Sequence, residues 1–141
     1  SLGGYGTMDF AGTYPEKVAA AMALCGGCSL KDQTGLGKLP LWIIHGTADR
    51  AVSVKQSQSV VNGLQQKGLD KRLRFDWWKG ASHGALARVM YMKKTYERLF
   101  SHSTRDPERN VNMAIDIKMS ELKSAYDDMI RDYADPEVID D

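Results

Sequence analysis

The sequence predicts an α/β fold, a parallel sheet flanked by helices, and three observations carry that prediction. Val18–Cys25 and Leu39–His45 are short continuous apolar runs, which suit strands buried on both faces of a parallel sheet. Between and around them lie segments with helical periodicity, so the order reads α-β-α-β-α-β-α. A third run, Arg72–Trp78, alternates Leu73, Phe75 and Trp77 with Arg74, Asp76 and Trp78, as expected of a half-exposed strand near a sheet edge.

The first helix is expected from Gly3 to about Tyr14, its small first-turn residues allowing close approach to the sheet. Tyr14-Pro15 ends it, because proline cannot continue the hydrogen-bond ladder. After the first strand, Gly26–Lys38 is a glycine-rich loop, and Pro40 is tolerated at the entry to the second strand. Ser53–Lys67 follows as an amphipathic helix with Val54, Val60, Val61 and Leu64 apolar and Gly68 as its stop. Ala85–Phe100 is expected to be one continuous helix.

Beyond residue 100 the composition changes. Ser101–Asn110 reads as a polar, proline-containing linker. From 111 to 133, Ile115, Met119, Leu122, Tyr126, Met129 and Tyr133 recur at steps of three and four, drawing one stripe along a helix of roughly 34 Å. That extra C-terminal helix is expected to dock on the body, with a homodimer contact as the alternative. The chain thus divides into a body, 1–100, and a tail of linker, helix and acidic end, 101–141.

Charge follows the same division. Residues 1–100 hold 14 Lys+Arg and 7 Asp+Glu, or +7, whereas 101–141 hold 5 and 11, or −6. The basic residues are scattered without a recognition motif, which argues against nucleic acid as a partner. No apolar run reaches membrane-spanning length. Cys25 and Cys28 form a C-x-x-C, but no second pair completes a metal site, and a turn with two small buried thiols is the expectation. Thr34-Gly35-Leu36-Gly37-Lys38 lacks the spacing of a phosphate loop, so no cofactor is expected.

The chemistry-bearing residues follow strand-like positions. Ser1-Leu2-Gly3 matches the second half of a G-x-S-x-G nucleophile elbow, Asp49 ends His45-Gly46-Thr47-Ala48-Asp49, and His83 lies in Gly80-Ala81-Ser82-His83-Gly84. In a parallel sheet the C-terminal strand ends share one edge, so these three residues would emerge together. Asp32, in the glycine-rich loop, is the rival acid. His45, at a strand end, is expected to bond locally rather than serve as the base, and His102 to be solvated. Tyr5, Trp77, Trp78 and Tyr91 are candidates to line a pocket, although plain packing is the commoner use of such residues.

With these motifs the stretch from Ser1 to about Phe100 resembles the α/β-hydrolase superfamily, nearest its carboxylesterase, dienelactone-hydrolase and prolyl-oligopeptidase-like branches. The resemblance implies the C-terminal half of an α/β-hydrolase fold and a serine hydrolase cleaving a small carboxylic ester through an acyl-enzyme. It implies Ser1 as nucleophile, His83 as base, Asp49 as acid, and the Leu2 N–H as an oxyanion-hole donor. A prolyl-oligopeptidase-like peptidase with the same triad is the alternative, and a non-catalytic binding or dimerisation module is a third reading. A three-stranded sheet leaves apolar edges unpaired, and the family places strands before the elbow. The chain is therefore expected to lack an N-terminal segment of the same protein and to be inactive alone. An N-terminal-nucleophile hydrolase, which uses its own α-amine as base, is disfavoured because its layers are antiparallel.

Overall fold

The computed structural model describes residues 1–109 together with residues 118, 120, 121, 123, 124 and 127. Its elements in chain order are α1 (Leu2–Thr13), β1 (Ala21–Leu24), β2 (Leu41–Gly46), α2 (Val54–Gln66), β3 (Leu73–Trp78) and α3 (Lys93–Phe100). The strands form one parallel sheet in the order β1-β2-β3, with Leu24 opposite Ile44 and Gly46 opposite Trp78. This is the α/β class the sequence predicts, with the central strand buried and β3 half exposed, but the expected order α-β-α-β-α-β-α is not met: β1 and β2 are joined by a loop whose helical turn, Thr34–Lys38, is 3-10.

The sheet has a core on each face because β2 is buried at every step and apolar from Leu41 to Ile44. Leu41 and Ile43 pack under α1 and α2, with Met8, Ala11, Val60, Val61 and Leu64. Trp42 and Ile44 point the other way, onto Leu86, Val89 and Met92. Removing either isoleucine side chain back to the β-carbon would cost about 2–5 kcal/mol, since a close-packed interior relaxes only partly around the cavity. Helix α1 lies very close to the sheet. Its Gly4 packs against Gly26, and a Cβ at Gly4 would collide with the Leu24 carbonyl and meet the Gly26 Cα at 2.9 Å.

The first strand is shorter than the apolar run that predicts it, four residues rather than eight. The two helical ends of α2 agree with the sequence: Ser53 caps it by accepting from the Lys55 N–H, and Gly68 follows at φ +67.

The segment 85–100 departs from expectation. It is not one helix but a 3-10 stretch, Gly84–Tyr91, broken from α3 at Met92, which is extended at φ −99 and ψ 127. Leu86, Val89 and Met92 are the buried residues, and their spacing of three suits a 3-10 helix, in which side chains at i and i+3 eclipse. Thr95 seals the break, its hydroxyl donating to the Val89 carbonyl at 2.7 Å.

The predicted linker is anchored over its described part. Arg109 donates to the carbonyls of Val18 and Pro15, and Arg72 donates to the Glu108 carbonyl at 2.8 and 3.1 Å. His102 is half buried rather than solvated. The stripe expected over 111–133 lies mostly outside the described residues. Residues 120, 121, 123, 124 and 127 are helical, and Glu121 accepts from Lys94 of α3 at 2.9 Å. Among the described residues no helix is long and apolar enough to cross a membrane.

Candidate active site

The site forms where two loops leave the same edge of the sheet. The turn after β2 and the turn after β3 are tied together by backbone: the Thr47 N–H donates to the Trp78 carbonyl at 3.0 Å, and the Ala48 N–H to that of Ala81 at 3.1 Å. The Thr47 hydroxyl accepts from the Gly80 N–H at 2.8 Å. Gly46 permits this approach, because any Cβ there would run into the Ala81 carbonyl oxygen. Asp49 and His83, 34 residues apart, thereby come together, with His83 Nδ1 2.7 Å from Asp49 Oδ2.

The Asp49 carboxylate is fully buried and fully occupied. Oδ1 accepts the N–H groups of Ala51 at 2.9 Å and Val52 at 2.8 Å. Oδ2 faces His83 and also, at 3.2 Å, Nε2 of the buried His45. Burial pushes the Asp49 pKa up, but the Val52 N–H, His83 and the Ala51 N–H outweigh it, and the net shift is down. Asp49 is thus held as a carboxylate. A carboxylate can only accept, so His83 Nδ1 carries the proton and Nε2 keeps a free lone pair. The His83 side chain is 32% exposed and borders an open recess of about 560 Å³ with Ala48, Arg50, Ala51, Ser82 and Gly84.

His45 has the opposite character. Its Nε2 lies 2.8 Å from the Val52 carbonyl and its Nδ1 2.7 Å from the Ser57 hydroxyl, which donates onward to Gly26 at 2.8 Å. This local bonding is what the sequence suggests for it. The chain of contacts links Asp49 through α2 to the loop after β1, a link with no signature in local sequence.

Ser1 sits at the N-cap of α1 with its amine on the β1 end, donating to the carbonyls of Cys25 at 2.7 Å and Leu24 at 3.4 Å. It therefore shares the sheet edge with the other two residues, but among the described residues its hydroxyl makes no hydrogen bond to His83. Leu2 is the first residue of the helix, where backbone N–H groups lack intrahelical partners, and its side chain is exposed.

The rival acid Asp32, like Asp9 and Asp76, is occupied elsewhere. Asp32 is exposed and caps Thr34, Asp9 accepts from Ser29, and Asp76 accepts from Trp42 and Arg74. Both cysteines are free. Burial raises the Cys28 thiol pKa to about 11, and Cys28 packs against the core under α1. Cys25 is different: it lies beside the Asp49–His83 pair, its thiol donating to the His83 carbonyl at 3.7 Å. The expectation of a plain buried turn missed this placement, since nothing near Cys25 in sequence announces residues 24 and 58 positions away.

No protein-family model matches the chain, and no curated protein matches it. Among solved structures it is similar to one described as a thermostable esterase, with a TM-score of 0.65 and 27% identity. The likeness covers 73% of this chain and 29% of that one, so the chain spans under a third of its neighbour's length. The three-stranded parallel sheet with its flanking helices is consistent with part of an α/β-hydrolase fold, and the resemblance is to an esterase-like member of that architecture.

Proposed function

We propose that this chain carries the catalytic residues of a serine hydrolase that cleaves a small carboxylic ester, with Ser1 as nucleophile, His83 as base and Asp49 as the acid behind it. The observation that carries the reading is the 2.7 Å contact between His83 Nδ1 and Asp49 Oδ2. It fixes the imidazole in the tautomer whose Nε2 can accept a proton, on a ring that is partly open to solvent. The likeness to an esterase supports ester chemistry.

A serine hydroxyl barely ionises near neutral pH, so attack on the ester carbonyl requires a base to take its proton as the new bond forms. His83 Nε2 takes it, and the resulting imidazolium is stabilised by Asp49, which stays a carboxylate. The same proton then passes to the leaving alcohol, giving an acyl-Ser1 ester. Water, deprotonated by the now neutral His83, releases the acid and restores the serine. The Leu2 N–H at the start of α1 donates to the oxyanion, where one such bond contributes roughly 10²–10³ in rate.

The test is phosphonylation of the protein in its natural full-length form by a fluorophosphonate probe, with hydrolysis of a short-chain aryl ester followed alongside. Labelling maps to Ser1 and disappears in Ser1→Ala. Labelling at another residue, or ester turnover unchanged in Ser1→Ala, overturns the assignment.

A further inference from the structure

One thiol at the site, that of Cys25, has no part in the hydrolytic cycle, and burial holds its pKa above the ordinary thiol value. Cys25 follows β1 with only 7% of its surface exposed and with φ +44, a left-handed conformation that non-glycine residues seldom adopt. Strained backbone of this kind persists only where the surrounding structure imposes it. The result is that one ligand atom each from Cys25, Asp49 and His83 lie within 4.8 Å of one another.

We propose that Cys25, Asp49 and His83 form a binding site for a borderline-to-soft divalent cation of the zinc and cadmium class, and that its occupation disables His83 as a base. A thiolate, a carboxylate and an imidazole are donors that zinc accepts, while magnesium and calcium prefer oxygen alone. Zinc bonds of about 2.0–2.3 Å in a tetrahedron set ligand atoms roughly 3.3–3.8 Å apart. The His83–Asp49 contact at 2.7 Å therefore opens slightly while the widest separation, at most 4.8 Å, closes by about 1 Å. The half-open His83 side chain borders the recess, which provides an entry path and room for a water in the fourth position.

Charge and protons balance. The Cys25 thiolate and the Asp49 carboxylate together cancel the two positive charges, so the occupied cluster is neutral where the empty one carries the single negative charge of Asp49. Binding expels the thiol proton, and the proton on His83 Nδ1 moves to Nε2, leaving the ring neutral. One proton leaves per cation. The imidazole then has no free lone pair at Nε2, the reverse of the tautomer that a base needs. Asp49 remains oriented by the Ala51 and Val52 N–H groups and by His45, the outer contacts that hold a metal-binding carboxylate in place. Binding requires no contribution from Ser1 and stands independently of the hydrolytic reading, whereas the loss of His83 as a base rests on that reading.

The experiment is a cadmium titration of the purified protein, read by the ultraviolet thiolate-to-cadmium charge-transfer absorption. One saturating equivalent is expected, displaced by zinc, retained in Cys28→Ser and abolished in Cys25→Ser. Cys25→Gly serves as the second variant, because glycine accepts the positive φ and keeps the backbone while the thiol is removed. His83→Ala should weaken binding by at least about tenfold. A band that survives in both Cys25 variants, vanishes in Cys28→Ser or is unchanged in His83→Ala overturns the site, as does the absence of any saturable band.

Discussion

Two imidazoles meet the same carboxylate oxygen, Oδ2 of Asp49, and they differ in what surrounds them. His45, at the end of β2, is wholly buried and has both ring nitrogens engaged, one by Ser57 and the other by Val52 and Asp49. His83, on the loop after β3, bonds Asp49 through Nδ1 alone and keeps 32% of its side chain exposed. The buried ring has no nitrogen left for a reaction and works as a structural link. The exposed ring has one nitrogen oriented and the other unspent, which is the condition for moving a proton. Environment, not residue type, separates the two roles.

That contrast can be broken by deleting each ring in turn. His83→Ala should lower ester turnover by about 10⁴-fold, on the order of 5.5 kcal/mol of transition-state stabilisation. Its thermal or denaturant midpoint should fall by about 1 kcal/mol, since Asp49 loses one hydrogen bond that water at this half-exposed position replaces in part. His45→Ala should do the reverse at smaller scale. It would leave a cavity, take one of two partners from the Ser57 hydroxyl and leave the Val52 carbonyl without its ring partner, costing about 3 kcal/mol in a denaturant titration. Equal stability losses in the two variants would abolish the distinction drawn between them.

Acid sharpens the comparison by acting on the partner both rings share. The folded-state pKa of Asp49 is depressed below the ordinary 3.8, so its contribution to stability is complete above that value. It is lost as pH falls through the lower folded value. Between the two the unfolded chain binds the proton that the native one refuses. Acid unfolding below pH 3.8 should accordingly be shallower in Asp49→Asn than in the unsubstituted protein, after both are referenced to neutral pH. An identical acid slope would mean that the carboxylate is not held charged as the geometry requires.

Much of this arrangement is legible before any coordinates. The continuous apolar run in Leu41–Ile44 and the alternation in Leu73–Trp78 distinguish a central strand from an edge strand, because burial on one face or two leaves different periods. Asp49 stands out over Asp32 only because it follows a strand end; in the structure Asp32 bonds Thr34. Other features were hidden. The break at Met92 is encoded in the three-residue spacing of Leu86, Val89 and Met92, yet that spacing also fits part of an α-helical stripe. The choice between them rests on how Trp42 and Ile44 receive those side chains. Cys25 looked like one of two equivalent thiols in a turn, and only packing separates it from Cys28 across the sheet.

By itself, then, the sequence determined the three strands and their order, the helices α1 and α2, the burial of β2, and the fact that an acid and an imidazole follow strand ends. Those are local properties, set by periodicity, turn residues and proline and glycine. Tertiary structure alone decided that Asp49 meets His83 and His45, and that Cys25 joins them. The physical reason is that these contacts depend on backbone hydrogen bonds between loops more than thirty residues apart, Thr47 to Trp78 and Ala48 to Ala81. Such pairings are selected by the assembled sheet and leave no trace in the residues on either side of them.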